Sequence, residues 1–96
     1  MTQRFDDKTL IVTGGNQGIG RAASIAASHL GASVVVASRT EETGIETVRI
    51  IEKSGGKAIY VWADVSDETS VVNMVLKTLE SFVSIDMAFN NAGRGA

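Results

Sequence analysis

In the segment TLIVTGGNQGIGR, Gly14, Gly18 and Gly20 stand between a short apolar run, Leu10-Ile11-Val12, and a stretch rich in Ala and Ser. Glycines at a strand-to-helix turn let backbone N–H groups approach an anion closely, because no Cβ stands in the way. The N-terminus of the following helix adds about half a positive charge facing the same point. The chemistry on offer is the binding of a pyrophosphate, and a dinucleotide is a ligand class that carries one. Gly20 also lets the helix approach its strand, and the small residues Ala22, Ala23, Ala26 and Ala27 suit such packing. A plain glycine-rich turn is the competing reading.

The end of the second apolar run separates two dinucleotides. An acidic side chain there would accept hydrogen bonds from the ribose hydroxyls of NAD and repel the extra phosphate of NADP. The run reads Val36-Ala37-Ser38-Arg39-Thr40. Ser38 occupies the place of the acid, and Arg39 follows with bidentate, charge-assisted donors that suit a 2′-phosphate. NADP(H) is favoured over NAD(H); the alternative leaves Arg39 as a solvated residue at a strand end. No catalytic residue can be assigned. The chain has one tyrosine, Tyr60, in the middle of AIYVWA, which reads as a half-buried strand position. The one histidine, His29, falls in the last turn of a helix, where a cation complements the dipole. With no cysteine there is no metal site to propose, and Glu41, Glu42 and Glu46 read as a solvated helix face.

The elements that must position these groups alternate. Leu10-Ile11-Val12, Ser33 to Ala37, Ala58 to Ala63 and Ile85 to Phe89 read as strands. Gly18 to Leu30, closed by Gly31, and Glu41 to Lys53, stopped by Ser54-Gly55-Gly56, read as helices. A third helix is expected from an N-cap at Ser66 to about Val83, with Val72, Val75, Leu79 and Phe82 as its apolar stripe. The order β-α-β-α-β-α-β predicts an α/β, Rossmann-type parallel sheet with strand order 3-2-1-4. It amounts to a partial doubly wound fold in a single domain over residues 1–96.

Three motifs carry a family resemblance: Thr13-Gly14-Gly15-Asn16-Gln17-Gly18-Ile19-Gly20, Asp64-Val65 after the third strand, and Asn90-Asn91-Ala92-Gly93 after the fourth. In type, order and position they resemble the N-terminal cofactor-binding part of short-chain dehydrogenases/reductases. The resemblance implies that Asn16 and Gln17 lie near the adenosine ribose and that Asp64 meets the adenine amino group. It places the Val65 N–H at a ring nitrogen, and Asn90, Ala92 and Gly93 around the ribose. Ile19 would lie beside the pyrophosphate and point toward the nicotinamide. It further implies hydride transfer between NADP(H) and a carbonyl/alcohol substrate. In the family a serine polarises the carbonyl, and a tyrosine with a lysine four residues later serves as acid/base. Those groups are expected beyond the fourth strand. Four residues after Tyr60 stands Asp64, so no such pair exists here. The chain is therefore expected to carry the adenylate-binding half of a truncated oxidoreductase and to be inactive alone. A non-catalytic nucleotide-binding or assembly module is the alternative.

Composition bounds the rest. Ninety-six residues with 44% hydrophobic content suit one small packed domain. A net charge of −2 gives no electrostatic case for nucleic acid. No apolar run is long enough to span a bilayer, and Met1 to Thr9 is too polar for a secretory signal. The absence of cysteine fits a cytoplasmic location. The fourth strand is expected to leave an open edge, with Asp86 its only charge, that pairs with a second copy, binds a polypeptide completing the fold, or aggregates.

Overall fold

The computed structural model describes residues 4–14, 16–82 and 84–90. The elements are β1 (Thr9–Thr13), α1 (Gly18–His29), β2 (Ser33–Ser38), α2 (Glu41–Lys53), β3 (Lys57–Trp62), α3 (Glu68–Ser81) and β4 (Met87–Asn90). All strand pairs are parallel and the sheet order is β3-β2-β1-β4, as expected from the alternation. The register sets Thr13 beside Ala37 and Asn90, so the ends of the strands lie along one edge of the sheet.

The uninterrupted apolar runs of β1 and β2 follow from their central place. Val34, Val35 and Val36 are fully buried because side chains on both faces of the sheet meet helices. On one face Leu10, Val12, Val34 and Val36 pack with Ala27 of α1 and with Val48 and Ile51 of α2. On the other, Ile11, Val35, Ala37 and Val61 pack with Met74 of α3. None of the described helices is long and apolar enough to cross a membrane.

Four expectations need correction, all in or beside α3. Its cap is Asp67, whose Oδ1 accepts the Thr69 N–H at 3.0 Å. Ser66 lies one residue ahead of the cap, and its hydroxyl and N–H both donate to Asp64 Oδ1, at 2.7 and 3.0 Å. The buried line of α3 is Ser70, Met74 and Thr78; of the expected stripe Val72 and Leu79 are 50 and 47% exposed, Val75 is half-buried, and Phe82 packs against the core. The buried hydroxyls are satisfied locally: Thr78 donates to the Met74 carbonyl at 2.8 Å, and Ser70 Oγ accepts the Asp64 N–H at 2.8 Å. The helix ends at Ser81, since Phe82 is extended; Val83 lies outside the described residues. Asp86 precedes β4 instead of guarding it. Its N–H bonds the Thr9 carbonyl at 3.0 Å, and its carboxylate accepts the Thr9 N–H at 2.9 Å and the Ser84 hydroxyl at 3.1 Å. The Thr9 bond holds the Asp86 carboxyl below the usual carboxylate range, helped by Ser84 and Lys8 against some desolvation.

Candidate functional site

Chain reversal at the end of β1 needs backbone angles that L side chains resist. Gly14 has φ 73° and Gly18 has φ 60°, both in the left-handed region that glycine enters without steric cost. The Gly14 N–H donates to the Ala37 carbonyl of β2 at 2.7 Å, which carries the sheet ladder one step past β1. Gln17, extended at φ −164°, precedes α1 and gives it no side-chain cap. The Arg21 N–H reaches the Gln17 carbonyl at 3.3 Å, and the N–H groups ahead of it have no acceptor within the helix. No acidic residue stands in this first turn. The start of α1 is thus a cluster of N–H donors and a positive dipole end with no carboxylate of its own.

Arg21, to which the sequence reading gave no role, holds this loop. Its Nε donates to Thr47 Oγ1 at 2.9 Å, and its Nη2 to the Asn16 carbonyl at 2.8 Å and the Thr43 carbonyl at 3.1 Å. The same Nη2 pairs with Glu46 at 2.9 Å. Glu46 stays exposed on the face it shares with Glu41 and Glu42 while making this pair. Asn16 is buried and its amide donates to Thr43 Oγ1 at 2.9 Å, so that side chain is turned toward α2. A signal for Arg21 was present in the sequence. A cation in the first turn of a helix opposes the dipole and needs a lateral partner.

The remaining expected residues fall at the same edge of the sheet. Gln17 is exposed and Ile19 is 70% exposed, while Gly20 is buried with its carbonyl bonded by Ser24 Oγ at 2.8 Å. Arg39 is exposed at the tip of β2. Ser38, only 8% exposed, donates to the Thr40 carbonyl at 3.1 Å and approaches Tyr60 Oη at 3.4 Å, so its hydroxyl serves the turn itself. Asp64 and Val65 follow β3, Val65 exposed. The Asp64 carboxyl is held below its usual range by the Ser66 hydroxyl first, then by the Ser66 N–H and by the charge of Arg39, against a small desolvation. Asn90 ends β4 and its Oδ1 accepts the Thr13 hydroxyl at 2.8 Å, tying the fourth strand's tip to the first. Ala92 and Gly93 lie outside the described residues. Tyr60 donates its hydroxyl to the Ser38 carbonyl at 2.7 Å, and His29 is exposed at the end of α1.

This arrangement fits a dinucleotide on structural grounds alone. The left-handed glycines bring backbone close, the α1 donors have no internal anion, and the exposed Arg39 lies one strand away. Comparisons with known proteins agree. A family model described as short chain dehydrogenase matches residues 8–96. The chain is 42% identical over 90 residues to a 3beta-hydroxysteroid dehydrogenase of Mediterraneibacter gnavus, covering 94% of this chain and 33% of that protein. It is 38% identical to the tropinone reductase-like 1 protein of Erythroxylum coca, covering 95% of this chain and 32% of that one. The crystal structure of a hydroxysteroid dehydrogenase from Escherichia coli superposes with a TM-score of 0.94 at 31% identity, covering 98% of this chain and 40% of that one. The chain spans about a third of the length of the curated relatives it matches.

Proposed function

The chain belongs to the short-chain dehydrogenase family, and from that membership we propose that it forms the adenylate-binding part of an NADP(H)-dependent oxidoreductase. When bound, the dinucleotide supplies or takes up the hydride exchanged with a carbonyl/alcohol pair. Gly14, Gln17, Gly18, Ile19 and Gly20 receive the pyrophosphate and adjoining ribose, with Asn16 holding the loop through Thr43. Arg39, on the turn begun by Ser38, takes the 2′-phosphate. Asp64 and Val65 border the adenine, and Asn90, Ala92 and Gly93 the second ribose. The acid/base and carbonyl-polarising groups lie outside these residues, since Tyr60 Oη is committed to the Ser38 carbonyl.

The observation that carries this reading is the start of α1: a glycine turn with two left-handed residues opening onto a helix end with no side-chain cap and no acid. The test is a calorimetric titration with NADPH, NADH and 2′,5′-ADP, repeated with Arg39→Ala. NADPH is expected to bind more tightly than NADH. The substitution should weaken NADPH by about tenfold or more, the scale of a lost charge-assisted pair, and leave NADH unchanged. No binding of any of the three would reject the function, and equal weakening of both coenzymes would reject the role of Arg39.

β4 pairs only with β1 among the described strands and its residues Ala88, Phe89 and Asn90 are exposed. Its free side takes a further strand, from a second copy or from a longer chain. Light scattering on the 96-residue chain should find dimers or larger species. A strictly monomeric solution would count against it.

A further inference from the structure

The turn that carries Arg39 is braced by side chains of the neighbouring strand. Three successive carbonyls in it accept bonds from fixed donors. That of Ser38 takes the Tyr60 hydroxyl at 2.7 Å and the Ala63 N–H at 3.0 Å. That of Arg39 takes the Trp62 indole N–H at 3.1 Å. That of Thr40 takes the Ser38 hydroxyl at 3.1 Å and the Gly44 N–H at 3.2 Å, which begins α2. Tyr60 and Trp62 are two residues apart on β3 and so share one face of the sheet.

Neither aromatic is placed by apolar burial alone. Trp62 is 53% exposed, yet its indole N–H bonds a backbone carbonyl of the turn. The Tyr60 ring lies where any side chain at position 44 would collide with it, so Gly44 leaves the room that lets the hydroxyl reach Ser38. The backbone at Arg39 is thus fixed on both sides while its side chain stays exposed.

We propose that Tyr60 and Trp62 are positioning residues for the Arg39 guanidinium and thereby set the preference for NADPH over NADH. The proposal rests on the reading of Arg39 as the ligand of the 2′-phosphate. A long cationic side chain loses rotamer freedom when it grips a phosphate. Fixing the backbone beforehand removes the backbone's share of the ordering cost from the binding step, leaving only the side chain to be ordered. The side-chain hydrogen bonds of the brace all fall on the β2–α2 turn, so it acts on the coenzyme carrying the extra phosphate and leaves the α1 subsite alone.

A double-mutant cycle on the intact protein tests this, reading the dissociation constants of NADPH and NADH for Trp62→Phe, Arg39→Ala and the pair. Trp62→Phe keeps an aromatic ring and removes the N–H donor. Alone it should weaken NADPH about fivefold, the scale of one neutral hydrogen bond, and change NADH by less than about twofold. In the Arg39→Ala background it should have no further effect on NADPH. Tyr60→Phe should act in the same direction, and where it lowers the melting temperature the exposed Trp62 position carries the test. Equal weakening of both coenzymes, or a full Trp62→Phe effect persisting without Arg39, overturns the proposal and leaves the phosphate role of Arg39 standing. If Arg39→Ala alone leaves the NADPH/NADH ratio unchanged, the phosphate reading fails first and the brace falls with it.

Discussion

Two helices begin beside the same edge of the sheet and are finished in opposite ways. At the start of α3, Asp67 accepts the Thr69 N–H at 3.0 Å and Glu68 stands in the first turn. The positive end of that helix is answered from within the chain. At the start of α1, Gln17 offers no cap, the first turn has no acid, and Arg21 adds a cation. α2 sides with α3, having Glu41 and Glu42 in its first turn. Carboxylates are therefore present where a helix end only needs stabilising. They are missing at the one start that follows a left-handed glycine turn, and that is where an anion from outside would be received.

The contrast can be broken or sharpened, beginning with the largest effect. Gly14→Val puts a β-branched residue at φ 73°, which should cost about 1–3 kcal/mol of stability and abolish NADPH binding. Denaturant unfolding and calorimetry would show both losses. Gln17→Asp makes α1 resemble α3. It should raise stability by about 1 kcal/mol and weaken NADPH about tenfold or more, since the new charge opposes the phosphates. A variant that gained stability and kept its affinity would remove the distinction between the two helix starts. Asp67→Ala strips the cap from α3 and should cost about 1 kcal/mol without altering NADPH affinity.

The smallest effect is in acid. The folded Asp64 carboxyl titrates below its unfolded value, so its contribution is present above the unfolded pKa and is lost as pH falls through the folded one. Asp86 behaves alike. Urea midpoints at pH 7 and pH 3 should therefore differ less for Asp64→Asn than for the parent, by a margin small enough to need replicate titrations.

Much of this was legible in the residues, for reasons that differ by region. The α2 limits Glu41 and Lys53 could be read because Ser54-Gly55-Gly56 follow an apolar period. The strand order followed from the alternation of elements, because parallel pairs need crossovers. That the cap is Asp67 and not Ser66 was not legible, since both residue types cap well and the helix start differs by a single residue. α3 offers apolar residues on more than one side, and which line is buried depends on what lies opposite. The loop's glycines announced themselves. Arg21's place in the first turn called for a partner, but its partners Asn16, Thr43 and Thr47 could not be read, because they meet it only once α2 docks beside α1.

The indole at the tip of β3 is the chain's one tryptophan. All of its emission on long-wavelength ultraviolet excitation therefore arises at the turn that presents Arg39. Reduced nicotinamide absorbs where indole emits, so occupancy should be visible as quenching without any added dye.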